Sequence, residues 1–371
     1  MVQQRSLLMF EQAIKSEVTR KGYLYQLTEF RKWANIKDFN GLLEAPEKDI
    51  QILLEDYVMY LKKKISPNSI PIYFAPIELF YVMNDVNVNF KKIRKLFPDK
   101  VKKGNERGYS HGQVQTILNA SKTKRHKALV LLLASSGCRI GAIPDIRLKH
   151  LTKIEDCYSI KIYEGDKEED FIFTTPEASL AIDAYLDERR KDGEYIDGES
   201  TLFRTIYRLG IEKVIPCSVD LLSHTMARLV KVVDRKKSGK TNRYEIAKSH
   251  GFRKFFATII KNTDGISPTM TEKLINHVGI VQMDGAYFTP SVEQMFSAYK
   301  KAIPDLLIDQ THKHEIKIKE LEDEKLEFQR IKDDNAKLKE DNVEIKEKFL
   351  ELKEISEKLV NYIEEQKSNK D

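Results

Sequence analysis

The sequence predicts a mainly α-helical (α+β) protein that contains one small antiparallel sheet and ends in a coiled coil. Three observations predict this fold class. Apolar residues recur three and four residues apart along most of the chain, as in helices with one buried face. Two short stretches instead alternate apolar and polar residues on either side of a charged turn, as in a β-hairpin. Beyond residue 310 the spacing becomes a seven-residue repeat.

Residues 1–86 are predicted to form a small helical domain. Helical spacing is present in FEQAIKSEV, RKGYLYQLTEFRKWANI and KDIQILLEDYVMYLKKK, and SPNSIPIYFAPIELFYVMNDV begins with Ser, Pro and Asn before a further apolar helix. Residues 87–107 are strongly basic, and Pro98 and Gly104 interrupt regular structure there. We interpret them as a linker, which is either a solvated connector or a basic segment that lies along phosphates.

Residues 108–310 are predicted to form a second, larger domain. HKALVLLLASSG predicts a buried helix that ends at a Ser-Ser-Gly break, after which GCRIGAIPDIRLKHL begins a new segment. The strand-like stretches YSIKIYEG and EEDFIFTTP flank a turn that contains Gly165, Asp166 and Lys167. Further helices are predicted in PEASLAIDAYLDERR, SVDLLSHTMARLVKVVDR, KSHGFRKFFATIIKN and TMTEKLINHVG.

Residues 311–371 are predicted to form a C-terminal coiled coil. Position a of the heptad holds Leu321, Phe328, Asn335, Asn342, Phe349, Ser356 and Ile363, and position d holds Ile331, Leu338, Ile345, Leu352 and Leu359. A repeat of this length specifies a left-handed coiled coil. The two asparagines at position a fix the register and favour a parallel dimer, while a trimer or packing on the chain's own body stays open.

The charge is distributed unevenly between body and tail. Residues 311–371 hold 14 basic and 18 acidic side chains, whereas residues 1–310 hold 49 and 39. A basic body with a near-neutral tail indicates a polyanionic partner for the body and a different task for the tail.

Composition also excludes several classes of protein. No apolar run is long enough to span a bilayer, and the N-terminus does not resemble a signal peptide. The three cysteines, Cys138, Cys157 and Cys217, lack the spacing of a zinc module or a disulfide framework. We therefore expect a cytoplasmic protein with no metal and no cofactor.

Four segments of the second domain carry the functional signal through their order along the chain: GCRIGAIPDIRLKHL, the charged hairpin, HGFR, and LINHVGIVQMDGAYF. Together they resemble the catalytic domain of the tyrosine recombinases, the family of phage integrases and Xer-like recombinases, and are most similar to its archaeal branch. The resemblance covers roughly residues 105–308. It implies a catalytic domain there, and residues 1–86 are similar to the core-binding (SAM-like) domain that clamps the other face of the duplex.

The resemblance implies site-specific recombination of double-stranded DNA by several protomers. These residue types suit breaking a phosphodiester without metal or ATP. Arginines bind two phosphate oxygens at once and stabilise the charge of the transition state. A tyrosine attacks phosphorus and leaves a covalent 3′-phosphotyrosine, and a lysine or histidine protonates the departing 5′ oxygen.

By resemblance, Arg139 in GCRIG is the first arginine, and His250 and Arg253 in HGFR are the histidine and the second arginine. His277 in INHVG matches the second histidine, although Asn276 replaces the family's usual glycine. Ordinary alternatives are a helix-start arginine, a basic helix face and a satisfied core histidine.

The lysine and the nucleophile each have two candidates. Lys167 in the hairpin turn is preferred as the lysine, with Lys161 on the preceding strand in reserve. Tyr287 in DGAYF is preferred as the nucleophile, ten residues after His277. Tyr299 in FSAYKKAIP fits an apolar helical pattern, which favours core packing. Whether the tyrosine acts in its own protomer or a neighbouring one stays open.

Two further points concern the surroundings of the site. Many relatives carry an acid three residues after the first arginine, where this chain has Ala142, so Asp145 is a candidate to support Arg139 instead. The basic stretch from Arg228 to Arg243 is a candidate phosphate-contacting surface.

Two alternatives to a recombinase remain. A type IB topoisomerase uses a similar set of residues and would relax DNA without paired sites. A non-catalytic DNA-binding or segregation protein dimerised by its tail is the second, although phosphate contacts alone do not require two histidines and a placed tyrosine.

Overall fold

The computed structural model describes residues 5–101, 107–207, 214–237, 244–276 and 288–368. The chain divides into two units, Met1–Gly104 and Asn105–Asp371. Helices dominate both units, and the second also contains a three-stranded antiparallel sheet. The predicted class, mainly α with a small antiparallel sheet, is confirmed.

The described residues of the first unit form a helical domain with its own core. Its helices are α1 (Arg5–Gln12), α2 (Glu17–Trp33), α3 (Glu47–Lys64), α4 (Ile70–Met83) and α5 (Phe90–Lys95), with short 3-10 helices at Asn40–Leu43 and Pro67–Ser69. The apolar faces meet around fully buried side chains, which include Phe10, Phe30, Leu54, Phe74 and Phe80. The three- and four-residue spacing seen in the sequence therefore corresponds to one shared core.

Two details of the first unit differ from the sequence prediction. The predicted helix FEQAIKSEV is interrupted, because α1 ends at Gln12 and the Ser16 hydroxyl caps α2 by accepting from the Thr19 N–H. The predicted linker 87–107 contains α5, in which Ile93 is fully buried. The ring of Phe97 also lies 5.5 Å from that of Phe74. The apolar side chains among the lysines are what attach this segment to the core.

The second unit is built around a buried helix. Its helices are α6 (His111–Asn119), α7 (Lys124–Ser136), α8 (Pro176–Lys191), α9 (Val219–Leu229), α10 (His250–Asn262), α11 (Pro268–Leu274), α12 (Val292–Lys300), α13 (Ile303–Leu306) and α14 (Gln310–Ser368). Short 3-10 helices lie at Ile140–Asp145, Leu148–His150 and Val230–Val232. Every residue of α7 from Ala128 onward is buried, and α7 packs against α6, α8 and α10. The apolar run HKALVLLLASSG is thus the central helix of this core.

The sheet consists of β1 (Leu151–Ile154), β2 (Cys157–Ile162) and β3 (Asp170–Phe173), in that order and antiparallel. Ile160 of β2 is opposite Leu151 on one side and Ile172 on the other. The predicted hairpin corresponds to β2 and β3, whereas β1 was not predicted because its four residues carry too short an alternation. The hairpin turn between β2 and β3 contains Lys167.

The tail is one continuous helix, α14, of 59 residues. Its apolar side chains at heptad positions a and d are between 51% and 70% exposed, as seen for Leu321, Phe328, Ile331, Leu338, Ile345, Phe349 and Leu352. Across the described ranges, no helix combines the length and apolar character that crossing a membrane requires.

Candidate active site

Arg253 connects the ends of two helices. It lies in the first turn of α10, and its guanidinium is half-buried. Nη1 donates to the carbonyl oxygen of Gly137 at 2.9 Å, and Nη2 donates to the carbonyl oxygens of Ile275 and, at 3.2 Å, Asn276. These carbonyls terminate α7 and α11, where free acceptors point out of a helix. All three acceptors are neutral, so they orient the guanidinium without cancelling its charge.

Gly137 allows α7 to end where it does. The residue has φ +59, in the left-handed region that favours glycine. A Cβ at this position would lie 2.4 Å from a ring carbon of Phe256 in α10. The Ser-Ser-Gly break therefore lets α7 and α10 approach closely, and the chain then leads directly to Arg139.

Arg139 is the more exposed of the two arginines. It precedes the 3-10 helix Ile140–Asp145, and its side chain is 48% exposed. Its guanidinium lies 3.6 Å from the Glu168 carboxylate of the hairpin turn. Burial raises the pKa of the neighbouring Tyr163 phenol, and the charge of Arg139 opposes that rise. The hairpin turn and Arg139 therefore lie on the same side of the site.

The two arginines are close enough to repel each other. Burial lowers the pKa of Arg253, and the positive charge of Arg139 lowers it further. Two guanidinium groups that repel each other favour binding of an anion, because an anion between them relieves the repulsion. A phosphodiester is such an anion, since it offers two free oxygens.

His250 is the first residue of α10 and is exposed. Positions three apart in a helix lie on the same face, so His250 and Arg253 are neighbours. The predicted basic helix thus directs its first turn toward the ends of α7 and α11.

A network of polar side chains joins the hairpin to the end of α11. The Asp170 carboxylate, at the start of β3, accepts from Asn276 Nδ2 at 3.0 Å and pairs with Lys273 Nζ at 2.9 Å. Asn276 has φ +47, a conformation that glycine adopts freely and asparagine tolerates. This conformation is compatible with asparagine at a position where the family resemblance predicts glycine. Asp170 was not singled out in the sequence, since one acid at a strand start carries no local signal.

The two candidate lysines have different surroundings. Lys167 is exposed in the hairpin turn and forms no ion pair with any described residue. Lys161 on β2 pairs with the Glu169 carboxylate at 3.3 Å and lies over the ring of Phe171. Lys161 therefore already has an anionic partner, whereas the exposed ammonium group of Lys167 can bind another one.

The reserve nucleophile Tyr299 lies in the core, as its helical spacing predicted. Its side chain is fully buried and its hydroxyl donates to the Ser135 carbonyl oxygen at 2.9 Å. Its ring packs against Phe173 and Phe296, and burial raises the pKa of the phenol well above its usual range. His277 and Tyr287 lie outside the described residues, although the Asn276 carbonyl just before His277 contacts Arg253.

One expectation about the surroundings needs correction, and another stays a prediction. No ion pair joins Arg139 to Asp145 within the described part of the chain, and the carboxylate that reaches Arg139 is Glu168. In the basic stretch from Arg228 to Arg243, Arg235 packs 4.4 Å from the ring centre of Tyr244 and donates to the Ile246 carbonyl oxygen. Arg235 therefore has a structural role, and residues 238–243 lie outside the described ranges.

Comparison with known families defines the class. Residues 109–293 match the family model described as the phage integrase family. The matched region includes the segment after α7, the hairpin, α10 and α11. The chain belongs to this family, that of the tyrosine recombinases and integrases.

One curated relative is the tyrosine recombinase XerA of Saccharolobus solfataricus, which is 25% identical over 169 residues. The match covers 45% of this chain and 56% of the relative, little more than half of its length. Among solved structures, the Tn1549 transposon integrase in complex with circular intermediate DNA is similar with a TM-score of 0.54 at 16% identity, over 80% of this chain and 99% of that one. The XerH recombinase bound to difH substrate gives 0.51 at 15% identity, over 76% and 78%. At these identities the structures establish the fold.

Proposed function

We propose that this protein is a site-specific DNA recombinase or integrase that cleaves and rejoins DNA through a covalent 3′-phosphotyrosine. The observation that carries the proposal is the pair Arg253 and Arg139, with Arg253 oriented by neutral carbonyls and repelled by its neighbour. This arrangement favours an anion, and a phosphodiester is one that both guanidiniums can bind in planar fashion.

In the proposed reaction, the two arginines bind the non-bridging oxygens and stabilise the charge that builds up at phosphorus. The Tyr287 hydroxyl oxygen attacks phosphorus, and the bond to the 5′ oxygen breaks. Lys167, with His250 and His277, moves the protons: the 5′ oxygen leaves as a hydroxyl, and the tyrosine proton is taken up. Rejoining reverses each step, with a 5′ hydroxyl displacing the tyrosine, so neither metal nor ATP is required.

The proposed partner is double-stranded DNA, bound by an assembly of several copies. The Tn1549 integrase and XerH structures were both solved with DNA, which supports this partner here. The domain limits 1–86, 87–107, 108–310 and 311–371 remain a prediction. In that scheme the first domain also binds the duplex, the tail forms a coiled coil that helps assembly, and the protein acts in the cytoplasm.

Strand exchange distinguishes the proposal from its two alternatives. Random-site selection first identifies the bound sequence, and two duplexes carrying it are labelled with different dyes and incubated in EDTA. A recombinase yields a product that carries both labels, and Arg253→Ala yields none. Relaxation of supercoiled DNA without exchange would indicate a topoisomerase, and binding without cleavage would indicate a segregation protein.

A further inference from the structure

The apolar face of α14 leaves an extended surface uncovered. From Leu321 to Leu352 the apolar residues at positions a and d are more than half exposed along one continuous helix. A helix that presents such a stripe to water is stabilised mainly when another helix covers the stripe. The charges at the flanking positions e and g indicate which helix covers this stripe.

The two flanks of this stripe carry opposite charges. Position e holds a lysine in five successive heptads, and position g holds an acid in three. The lysines are Lys325, Lys332, Lys339, Lys346 and Lys353, and the acids are Glu327, Asp334 and Asp341. All eight side chains are exposed. Each helix therefore has one positive and one negative edge.

This pattern selects one orientation for a second copy. In a parallel pair, position g of one helix meets position e of the next heptad on the other. Glu327 then meets the partner's Lys332, Asp334 meets the partner's Lys339, and Asp341 meets the partner's Lys346. An antiparallel pair brings e to e and g to g, which sets lysine against lysine and acid against acid. Only the parallel pair is attractive at both edges, and the one repulsive contact is Lys348 with the partner's Lys353.

The asparagines select one register. Asn335 and Asn342 occupy adjacent a positions between Phe328 and Phe349. When the two helices are in register, each asparagine lies opposite the same asparagine of the other helix, and the two amides can form a hydrogen bond. A slip of one heptad would place an asparagine against a phenylalanine at two places and leave amides buried without partners.

We propose that α14 pairs with α14 of a second copy as a parallel, in-register, two-stranded coiled coil, and that the protein is a dimer before it meets DNA. The helix is about 88 Å long at 1.5 Å per residue, and its two copies begin at the same end. Both bodies are then attached at that end. If the proposed function is correct, such a dimer delivers two active sites together to one recombination site.

Single cysteines in the full-length protein test orientation and register. Asn335→Cys and Ser356→Cys lie at position a, three heptads apart, and both should form a disulfide between copies on mild oxidation. Asp333→Cys, at the outer position f, should not. The three native cysteines are buried and should not compete. In an antiparallel pair, at most one of these two positions can lie next to the same position of the other helix. A disulfide in only one of the two cysteine variants would therefore overturn the parallel arrangement.

Charge reversal tests the pairing itself, with mass measured by light scattering in the absence of DNA. Wild type should be a dimer, whereas Lys332→Glu/Lys339→Glu/Lys346→Glu should be a monomer, as should Glu327→Lys/Asp334→Lys/Asp341→Lys. A mixture of the two should restore the dimer. Arg330→Glu/Lys337→Glu/Lys358→Glu, at the outward position c, makes the same change in net charge and should stay dimeric. A wild-type monomer or trimer, or a reversed chain that stays dimeric alone, would overturn the proposal.

The two proposals fail separately. Arg253→Ala should pair as wild type does, and the charge-reversed monomers should still cleave a single site on a short duplex. Pairing without any cleavage by wild type would contradict the proposed function alone, and cleavage without pairing would contradict this inference alone.

Discussion

Arg253 and Arg139 are close enough for their charges to interact, but the fold holds them differently. Arg253 is half-buried and donates to three carbonyl oxygens at the ends of α7 and α11. Arg139 is 48% exposed, and its ion pair, with Glu168, spans 3.6 Å. Arg253 is therefore part of the architecture of the site, whereas Arg139 can still adjust to a ligand. Variants that remove each in turn should therefore differ in stability as well as activity.

Arg253→Ala should have the largest effect. It removes a charge from the proposed site and leaves the buried carbonyls of Gly137 and Ile275 without this donor. We expect the single-turnover cleavage rate to fall by about 10³ or more, and the free energy of unfolding by about 1–3 kcal/mol. Stopped-time cleavage assays and thermal melts measure both, with Asn262→Ala at the exposed last residue of α10 as the control. An unchanged melting temperature would contradict the architectural role.

Arg139→Ala should affect activity alone. Its loss removes a proposed phosphate ligand, which we expect to cost about 10²–10³ in rate. Among the described residues it breaks a long, exposed ion pair with Glu168 and an interaction with the Tyr163 hydroxyl, which contribute little to stability. The melting temperature should match that of wild type. If Arg139→Ala melted as early as Arg253→Ala, the contrast between the two arginines would be wrong.

Lys167→Ala should slow cleavage by about 10², the usual contribution of a general acid. A substrate with sulfur in place of the 5′ oxygen should restore the rate, because a thiolate leaves without a proton, and this rescue should not extend to either arginine variant. Lys161→Ala, which breaks the pair with Glu169, is the comparison. Rescue by sulfur of Lys161→Ala in place of Lys167→Ala would assign the proton to Lys161.

Asp170→Ala should have the smallest effect. It removes the contacts to Asn276 and Lys273 that connect the hairpin to the end of α11. We expect cleavage to slow by about tenfold, since small misplacements of reacting groups reduce rate. Glu155→Ala, an exposed acid between β1 and β2 that pairs with Lys300, should cleave as wild type does. Equal rates for the two variants would exclude a positioning role for Asp170.

The parts of the structure that depend on local pattern were predictable from sequence. The end of α7 at Gly137 and the burial of Tyr299 both follow from the spacing of apolar residues and a helix-ending glycine. The contacts that organise the site do not. Arg253 and Gly137 are 116 residues apart, and Asn276 and Asp170 are 106 apart. No local pattern encodes a hydrogen bond between segments that meet only after folding.

Short elements were missed for a related reason. β1 has four residues and α5 has six, too few to show a clear period. Both are stabilised by what they pack against, such as the buried contacts of Ile93 in the first unit. The roles of His250, His277 and Tyr287 come from family resemblance and stay predictions.

Covalent trapping tests whether Tyr287 forms a phosphotyrosine with DNA without metal. A nicked suicide duplex carries the selected site, so that the fragment beyond the nick is lost after cleavage and rejoining is prevented. In EDTA, wild type and Tyr299→Phe should both form a protein–DNA adduct on a denaturing gel, and Tyr287→Phe should form none. An adduct with Tyr287→Phe would contradict Tyr287 as the nucleophile. An adduct that wild type forms only after Mg²⁺ is added would contradict cleavage without metal.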